Sequence, residues 1–381
     1  MDFAYTDEQR ELVGLVRTIL GERVTHDSLA ALEAGVTSDG VPRFDRALWA
    51  ELAKADILGI GLPQEYGGSG GGVFEQILVL EEVGRTLAPV PVYASIVVGA
   101  AAIAAHGTDA QKAAWLPGAV SGDKILTVAL AEPLGRDAAT PTVKARRVAG
   151  GWRLDGVKTG VPAATSSHVM LVPAATDDGV GVFLVSPSAH GVTVVPQLTT
   201  AKEIAGEVTL DGAVVADDTL LGGTVDTARA VWLRDRATLG LCALQLGITD
   251  KAMRAAAQYT STREQFKRPI GSFQAVGHRL ADCYIDVEAI RLTTWQAAWQ
   301  AESGTDASEA VSTAKFWAAE AGHRVAHAVV HVHGGMGIAE EYYVHRYFVH
   351  AKQIEFSLGG ANEHALRIGA AFAATPAGEF V

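Results

Sequence analysis

Cysteine is scarce in this chain of 381 residues, which contains two. Cys242 and Cys283 each lie in an apolar helical pattern, and neither has a second Cys or a His at metal-ligand spacing. Two such residues are expected to be buried core thiols rather than a disulfide or a metal site. Cysteine usage of this kind indicates a reducing compartment, and no metal is predicted.

Long apolar runs are also missing. No stretch of about 20 apolar residues occurs, so the sequence predicts no membrane-spanning helix. The first residues, Met1 to Glu8, include acids and lack both a basic segment and an apolar core of the kind that a signal peptide has. We therefore expect a cytoplasmic protein.

An excess of positive charge is absent as well, since the formal net charge is −12. This balance excludes nucleic acid and anionic membrane as general partners, although a local basic pair such as Lys267-Arg268 would still meet a phosphate group. Apolar residues make up 49% of the chain, enough to bury two or three packed units at this length.

The pattern of apolar residues changes twice along the chain. Residues 1–121 show helical periodicity from a capping box at Thr6 and Gln9 onward, broken by the glycine-rich loop Pro63 to Gly72. Residues 122–225 consist of short runs of Val, Leu and Thr divided by Gly, Asp and Pro, which predict a small antiparallel sheet. Residues 226–381 return to long Ala- and Leu-rich helices. The pattern predicts an α+β protein that is mostly α, with three domains at these boundaries.

Four motifs in the last third carry a resemblance to a known family. They are Arg263-Glu-Gln-Phe266, Phe273-Gln274, His333-Gly-Gly-Met-Gly-Ile338 and Ile354-Glu-Phe-Ser-Leu-Gly-Gly-Ala-Asn362. Together they resemble the acyl-CoA dehydrogenases, in which a carboxylate removes the α-proton of an acyl thioester while FAD accepts the β-hydride. The resemblance covers nearly the whole chain. It implies a helical N-terminal domain, a middle antiparallel β domain and a C-terminal four-helix bundle.

The same resemblance implies which residues bind FAD across a subunit interface. Arg plus paired glycines suits a pyrophosphate, which needs fixed donors and close backbone approach. The cofactor contacts that the motif positions imply are Arg263, Phe266, Gln274, His331, Gly334, Gly335 and Asn362. His331 stands where the family commonly has Gln, so its contact is chemically altered.

The catalytic carboxylate is missing from both places where the family carries it. Without a gap, the usual Glu falls on Leu358, and the alternative helical position falls on Ala237. Asp235 lies two residues, about 200° of helix, away from Ala237, and is interpreted as a solvated charge. Glu355 would reach the site only after a local shift of its loop. The sequence alone leaves open whether either acts as a relocated base.

The segments that flank the flavin ring in the family are altered too. Leu130 to Asp137 resembles its Thr-Glu-Pro segment but has Ala131 at the hydroxyl position. Gly156 to Ala163 resembles its Gly-x-Lys-x-Trp-Ile-Thr-Asn segment, with Gly160 for the Trp and Pro162 for the Thr that cover and bond the ring. The resemblance therefore implies a poor pocket for the ring.

This combination resembles the non-catalytic partner subunits of heteromeric acyl-CoA dehydrogenases of actinobacterial steroid degradation. It implies an FAD-dependent α,β-dehydrogenation of an acyl-CoA, possibly steroid-derived, in an α2β2 heterotetramer with a homologous subunit that carries the Glu. An electron-transferring flavoprotein is the expected electron acceptor. Two alternatives stay open, a flavin monooxygenase or oxidase on the same fold and a non-catalytic scaffold. The acyl chain and the choice between homo- and heterotetramer are also open.

Overall fold

The computed structural model describes residues 4–36, 43–135, 137 and 139–374. The chain divides into two compact units, each built from separate stretches of sequence. The helical unit comprises Met1–His26, Ile77–Ala88 and Leu241–Val381, and the sheet unit comprises Asp27–Gln76 and Pro89–Gly240. The three domain boundaries inferred from the sequence stay a prediction.

The predicted mixture of many helices and one small sheet is confirmed. The helices are α1 Asp7–Arg23, α2 His26–Ala34, α3 Arg46–Lys54, α4 Val73–Thr86, α5 Ala101–His106, α6 Asp109–Val120, α7 Thr227–Thr262, α8 Gln274–Glu302, α9 Ser308–His333, α10 Val344–Phe356 and α11 Ala361–Ala374. The strands are β1 Leu126–Val128, β2 Lys144–Val148, β3 Gly151–Pro162, β4 Val169–Thr176, β5 Gly179–Val185, β6 Val192–Leu198, β7 Ile204–Val215, β8 Glu264–Gln265 and β9 Arg268–Pro269. A search of the described residues finds no helix with the length and apolarity that a membrane crossing requires.

The main sheet has seven strands in the order β1-β4-β2-β3-β7-β6, with β5 paired to β4. Its pairings β2–β3, β3–β7, β4–β5 and β6–β7 are antiparallel, as predicted. Two others, β1–β4 and β2–β4, are parallel. Strand β2 was not predicted, because of its five residues only Ala145 is buried and the apolar alternation of a half-buried strand is missing.

A single apolar core lies under this sheet. Trp152 and Phe183 meet at its centre with ring centroids 5.4 Å apart and an interplanar angle of 63°. Aromatic pairs in this edge-to-face arrangement stabilise a core beyond the area that they bury. The surrounding residues are mainly Val, Leu and Ala from β2 to β7.

In the helical unit, a buried cluster of charges joins α4, α7 and α8. Arg85 contacts Glu81 at 2.9 Å and Glu82 at 3.2 Å, and it also binds Asp250. Arg291 reaches Glu81 at 3.1 Å and Asp250 at 3.3 Å. Buried carboxylates are tolerated only when such partners compensate their lost hydration. The cluster thus gives the segment Glu81 to Arg85 a structural role.

Two glycines allow α4 and α7 to cross with their backbones in contact. A Cβ on Gly84 would lie 2.2 Å from the carbonyl oxygen of Leu244, and one on Gly247 would lie 1.9 Å from that of Glu81. Either atom would force the helices apart, so this crossing requires glycine at both positions.

The end of α10 is held by one buried ammonium group. Lys315, on α9, has no exposed surface, and its Nζ donates to the carbonyl oxygens of Ile354 at 2.9 Å, Glu355 at 3.1 Å and Gly359 at 2.9 Å. The last carbonyls of a helix have no partner within the helix, and the dipole there favours a cation. Lys315 therefore fixes both the end of α10 and the loop 357–360 that leads into α11.

We expect Lys315 to make stability rise with pH. Burial lowers the pKa of its ammonium group to about 8, whereas the ordinary value is 10.5. Between these values the unfolded chain binds more protons than the folded chain, so the free energy of unfolding increases with pH. The shift corresponds to about 3 kcal/mol.

The measurement is urea denaturation of wild type and Lys315→Met from about pH 7.5 to pH 10.5. Met cannot titrate, so the difference in unfolding free energy should move in favour of wild type by up to about 3 kcal/mol. A difference that does not change with pH would contradict the assignment.

Candidate functional site

A short hairpin projects between α7 and α8, and we call residues 263–269 the hairpin arm. Strands β8 and β9 pair antiparallel, joined by Phe266 and Lys267 with φ angles of 54° and 63°. A two-residue turn with both φ angles positive normally takes Asn and Gly, since larger residues pay about 1 kcal/mol or more for this conformation. The arm therefore holds a strained backbone, a feature that clusters at functional sites.

The arm presents an aromatic ring and a guanidinium group to its surroundings. Phe266 is 87% exposed, and its ring lies 6.1 Å from that of Phe273 in an edge-on arrangement. Arg268 stacks over the other aromatic ring, with its guanidinium carbon 4.0 Å from the centroid of Phe273. The side chain of Arg263 is exposed, and within the described part of the chain it forms no hydrogen bond or ion pair. The ring of Phe266 and the guanidinium group of Arg263 are thus available to another molecule.

Gln274 is the first residue of α8 and is exposed. It follows the arm directly, so its amide lies at the amino end of a helix of 29 residues, where free N–H groups and the helix dipole favour an anion. The sequence predicts Gln274, Arg263 and Phe266 as contacts of one cofactor, and the structure brings all three to this end of α8.

The glycine segment begins where α9 ends. Gly334 has a φ of 63° and starts a 3-10 turn that runs to Ile338, and both Gly334 and Gly335 are exposed. His331 is exposed in the last turn of α9. His333 is buried instead, with Nδ1 2.8 Å from the carbonyl oxygen of Val329. Burial lowers the pKa of His333, so this ring is a neutral part of the core beneath the glycines.

Leu358 lies on the loop 357–360 in a left-handed backbone conformation, with a φ of 55°. Its carbonyl oxygen is 3.1 Å from Nε2 of His364, which is completely buried. The next carbonyl, that of Gly359, is bound by Lys315 as described above. Hydrogen bonds therefore hold the loop backbone at two successive residues, and the loop carries an aliphatic side chain at the position predicted from the sequence for the family's base.

The carboxylates nearest in sequence to Leu358 are engaged elsewhere. Glu363 accepts a hydrogen bond from the backbone N–H of Gly360 at 2.7 Å and so caps α11. Both carboxylate oxygens of Glu355 lie 3.2 Å from Nδ1 of His323, and one lies 2.5 Å from Nζ of Lys352. Asn362 is exposed in the first turn of α11.

The residue on α7 that the sequence predicts as the alternative base position is also apolar. Ala237 is completely buried. Asp235 has 18% of its side chain exposed and is paired with Nε of Arg234 at 2.7 Å, so the prediction of a solvated charge is wrong. Arg234 also binds Asp137 at 3.1 Å, and it links this turn of α7 to the segment Leu130 to Asp137. The sequence could not reveal the ion pair between Arg234 and Asp137, since these residues are distant along the chain.

A buried ion pair joins the two segments that flank the ring in the family. Nζ of Lys158, which has no exposed surface, lies 2.7 Å from Glu132. The same carboxylate accepts backbone N–H groups from Thr142 at 2.6 Å and Val143 at 3.1 Å. The backbone N–H of Thr159 also donates to the carbonyl of Ala131 at 3.0 Å. This pair was not predicted, although Glu132 and Lys158 stand inside the two segments whose sequences resemble those of the family.

Gly160 differs from a tryptophan position in its backbone as well as its side chain. Its φ of 59° lies in the left-handed region, where any larger side chain is strained. Nothing lies within 4 Å of the place where its Cβ would be. Pro162, two residues on, has no N–H to donate.

Two family models match the chain. The N-terminal domain of acyl-CoA dehydrogenases matches residues 6–123, and the C-terminal domain matches residues 230–373. Among curated proteins, acyl-CoA dehydrogenase FadE27 of Mycobacterium tuberculosis is 46% identical over 99% of this chain and 100% of its own length. FadE28 of the same organism is 30% identical over 97% of this chain and 98% of its own length.

Solved structures of high similarity include assemblies of two different chains. The ChsE4-ChsE5 complex of M. tuberculosis contains a chain that matches with a TM-score of 0.92 and 46% identity, covering 99% of this chain and 100% of that one. A chain of the Tcur3481-Tcur3483 steroid ACAD matches with a TM-score of 0.89 and 43% identity, covering 96% and 98%.

The predicted fold and the predicted cofactor, FAD, are confirmed at the level of the family. Family models on both helical segments and a relative 46% identical over nearly the full length lead to one conclusion. The chain belongs to the acyl-CoA dehydrogenase family of FAD-dependent oxidoreductases.

Proposed function

We propose that this chain is the base-lacking subunit of a heteromeric acyl-CoA dehydrogenase that oxidises a bulky, steroid-derived acyl-CoA between its α- and β-carbons. The observation that carries the proposal is Leu358 on an otherwise intact loop. Lys315 and His364 hold the backbone there, so the loss of the carboxylate is not part of a general loss of structure. A hydrocarbon side chain cannot accept the α-proton, and in our proposal the base comes from another chain.

The residues of the helical unit fit the adenosine and diphosphate half of FAD. The guanidinium of Arg263 offers charge-assisted hydrogen bonds to a diphosphate, and Phe266 offers an aromatic face to adenine. Gln274 at the start of α8 adds an amide donor. The remaining contacts proposed from the motif positions are His331, Gly334, Gly335 and Asn362, all of them exposed.

The residues of the sheet unit do not fit the flavin ring. Ala131 has no hydroxyl group, Gly160 has no aromatic side chain, and Pro162 offers neither a hydroxyl nor an N–H group. FAD supplies the hydride acceptor in this family, and we assign the ring and the base to the partner. In our proposal this chain holds the dinucleotide end of a neighbour's cofactor.

A partner of the same fold is supported by apolar side chains left exposed on α8. Ile285 is 66% exposed, Leu292 is 45% exposed and Trp299 is 50% exposed, at intervals of seven residues along one helical face. Such a stripe is the pattern of a helix that packs against another helix. The solved structures of ChsE4-ChsE5 and of a Tcur3481-Tcur3483 steroid ACAD support a heteromer and a steroid substrate. Electron transfer to an electron-transferring flavoprotein and a cytoplasmic location complete the proposal.

The isolated chain should be nearly inactive in acyl-CoA dehydrogenation, and a homologous partner that bears a Glu should restore activity. Loss of a general base typically removes about two to four orders of magnitude in rate. The assay is turnover of a steroid-derived acyl-CoA with an artificial electron acceptor, for the chain alone, the partner alone and the complex. Replacing the partner's Glu by Gln is the control. Robust turnover by the isolated chain would reject the proposal.

Arg263→Ala should lower the FAD content of the complex without unfolding it. One charge-assisted contact to a diphosphate contributes on the order of 1.5 to 3 kcal/mol, or about a ten- to hundredfold change in affinity. The readout is retained flavin after serial dilution, with Arg279→Ala as the matched control, since Arg279 is an exposed arginine of α8 outside the proposed contacts. Equal flavin retention in wild type and Arg263→Ala would make Arg263 merely structural.

Leu358→Glu should fail to turn the chain into a good dehydrogenase by itself. The substitution restores a carboxylate, but Gly160 and Pro162 still replace the residues that cover and bond the ring, and a misplacement of about 1 Å can cost a hundredfold in rate. We expect the purified variant to stay far below the roughly 10 per second that is typical of enzymes. Turnover near that rate, with FAD bound and no partner present, would show that the ring pocket is intact.

A further inference from the structure

The side chain of Gln197 lies on the same face of the sheet as that of Pro162. Pro162 belongs to the segment Gly156 to Ala163, which we call the ring segment because it resembles the family segment that covers the flavin ring. In β6, Gln197 pairs with Ala205 of β7, and Ala205 pairs in turn with Pro162 of β3. Residues directly opposite one another in antiparallel strands direct their side chains to the same face. The side chain of Gln197 therefore shares a face with the position where the family carries its ring-bonding Thr.

Its amide is bonded to the segment itself. Oε1 of Gln197 accepts the backbone N–H of Gly160 at 2.9 Å and lies 3.3 Å from Oγ1 of Thr159. Nε2 of Gln197 is 3.2 Å from the same hydroxyl. These contacts fall where the register between β3 and β7 shifts, between Lys158 and Val161. Gln197 therefore stabilises an irregular turn of backbone that the sheet ladder does not pair.

The backbone N–H groups of Thr159 and Gly160 in this turn are therefore already hydrogen-bonded. The N–H of Gly160 is taken by Gln197, and the N–H of Thr159 is taken by the carbonyl of Ala131. An amide carbonyl such as Oε1 is chemically equivalent to the carbonyl acceptors on the edge of a flavin ring. A ring that approached this face would have to displace an internal bond, and it would find no N–H on Pro162 to replace it.

We propose that Gln197 is a specificity-determining residue that closes this chain's ring site, because its side-chain carbonyl takes the backbone donor of Gly160. The inference rests on the proposed function and deepens it. It explains how the segment stays ordered without a cofactor ring against it. Gln197 supplies, from within the chain, an acceptor for an exposed donor that would otherwise be open to water or to another molecule.

The test uses the complex of this chain with its Glu-bearing partner and compares Gln197→Ala with Thr193→Ala. Thr193 is an exposed residue of the same strand, so its variant is the matched control. In Gln197→Ala the amide hydrogen of Gly160 should exchange about fivefold faster, as expected for one lost hydrogen bond of about 1 kcal/mol. Gln197→Glu keeps an oxygen acceptor and should restore slow exchange. The FAD content and the visible flavin bands of the complex should be unchanged in all three variants.

Two results would overturn the role of Gln197. A shift of the flavin bands or a loss of FAD in Gln197→Ala would show that Gln197 contacts a ring rather than replacing it. Equal exchange at Gly160 in Gln197→Ala and Thr193→Ala would show that the amide does not bind this donor. Failure of the proposed function is a separate outcome, since it appears as turnover by the isolated wild-type chain.

Discussion

The hydrogen bonds from Lys315 to three carbonyl groups are the interaction on which the site in the helical unit depends. A buried ammonium group is costly, and burial lowers its pKa to about 8. The cost is offset by three hydrogen bonds, which the ammonium group donates to the carbonyl oxygens of Ile354, Glu355 and Gly359. Because these bonds fix the loop 357–360, the side chain at position 358 has one defined place. The chemistry of that place is then set by a single residue, and that residue is Leu358.

The two units of the chain differ in the groups that they offer to the cofactor. In the helical unit, Arg263 and Phe266 stand on a strained arm whose backbone conformation costs stability, and both side chains are exposed. Strain of this kind clusters at ligand-binding sites. In the sheet unit, Glu132 and Lys158 keep the ring segments together while the groups that would touch a ring are absent. A subunit that binds one half of a neighbour's FAD needs the first feature and not the second.

The sequence was a good guide wherever the relevant signal is local. The capping box at Thr6 and Gln9 forms as predicted, and the long helices predicted within residues 226–381 are present as α7, α8 and α9. Resemblance in short motifs was enough to identify the family, the fold and the cofactor. Strand β2 was not predicted because its residues are mostly exposed, and no alternation of apolar and polar residues marks it as a strand.

What the sequence could not supply are contacts between residues that lie far apart along the chain. Lys315 lies about 40 residues before the loop that it holds, and nothing in its own helix distinguishes it from a surface lysine. Gln197 reaches the ring segment only because β7 lies between β6 and β3. Asp235 was predicted to be solvated because helical geometry turns it away from the face of Ala237. That geometry does not show its ion pair with Arg234, which also binds Asp137.

In our proposal, this chain contributes a dinucleotide-binding surface but neither a ring pocket nor a base. Counting FAD in the complex tests it most directly. The complex with the Glu-bearing homologue should be purified and its flavin released and quantified against both chains. The account predicts one FAD for each pair of unlike chains. Two FAD for each pair would mean that this chain holds a ring of its own, and it would contradict the claim.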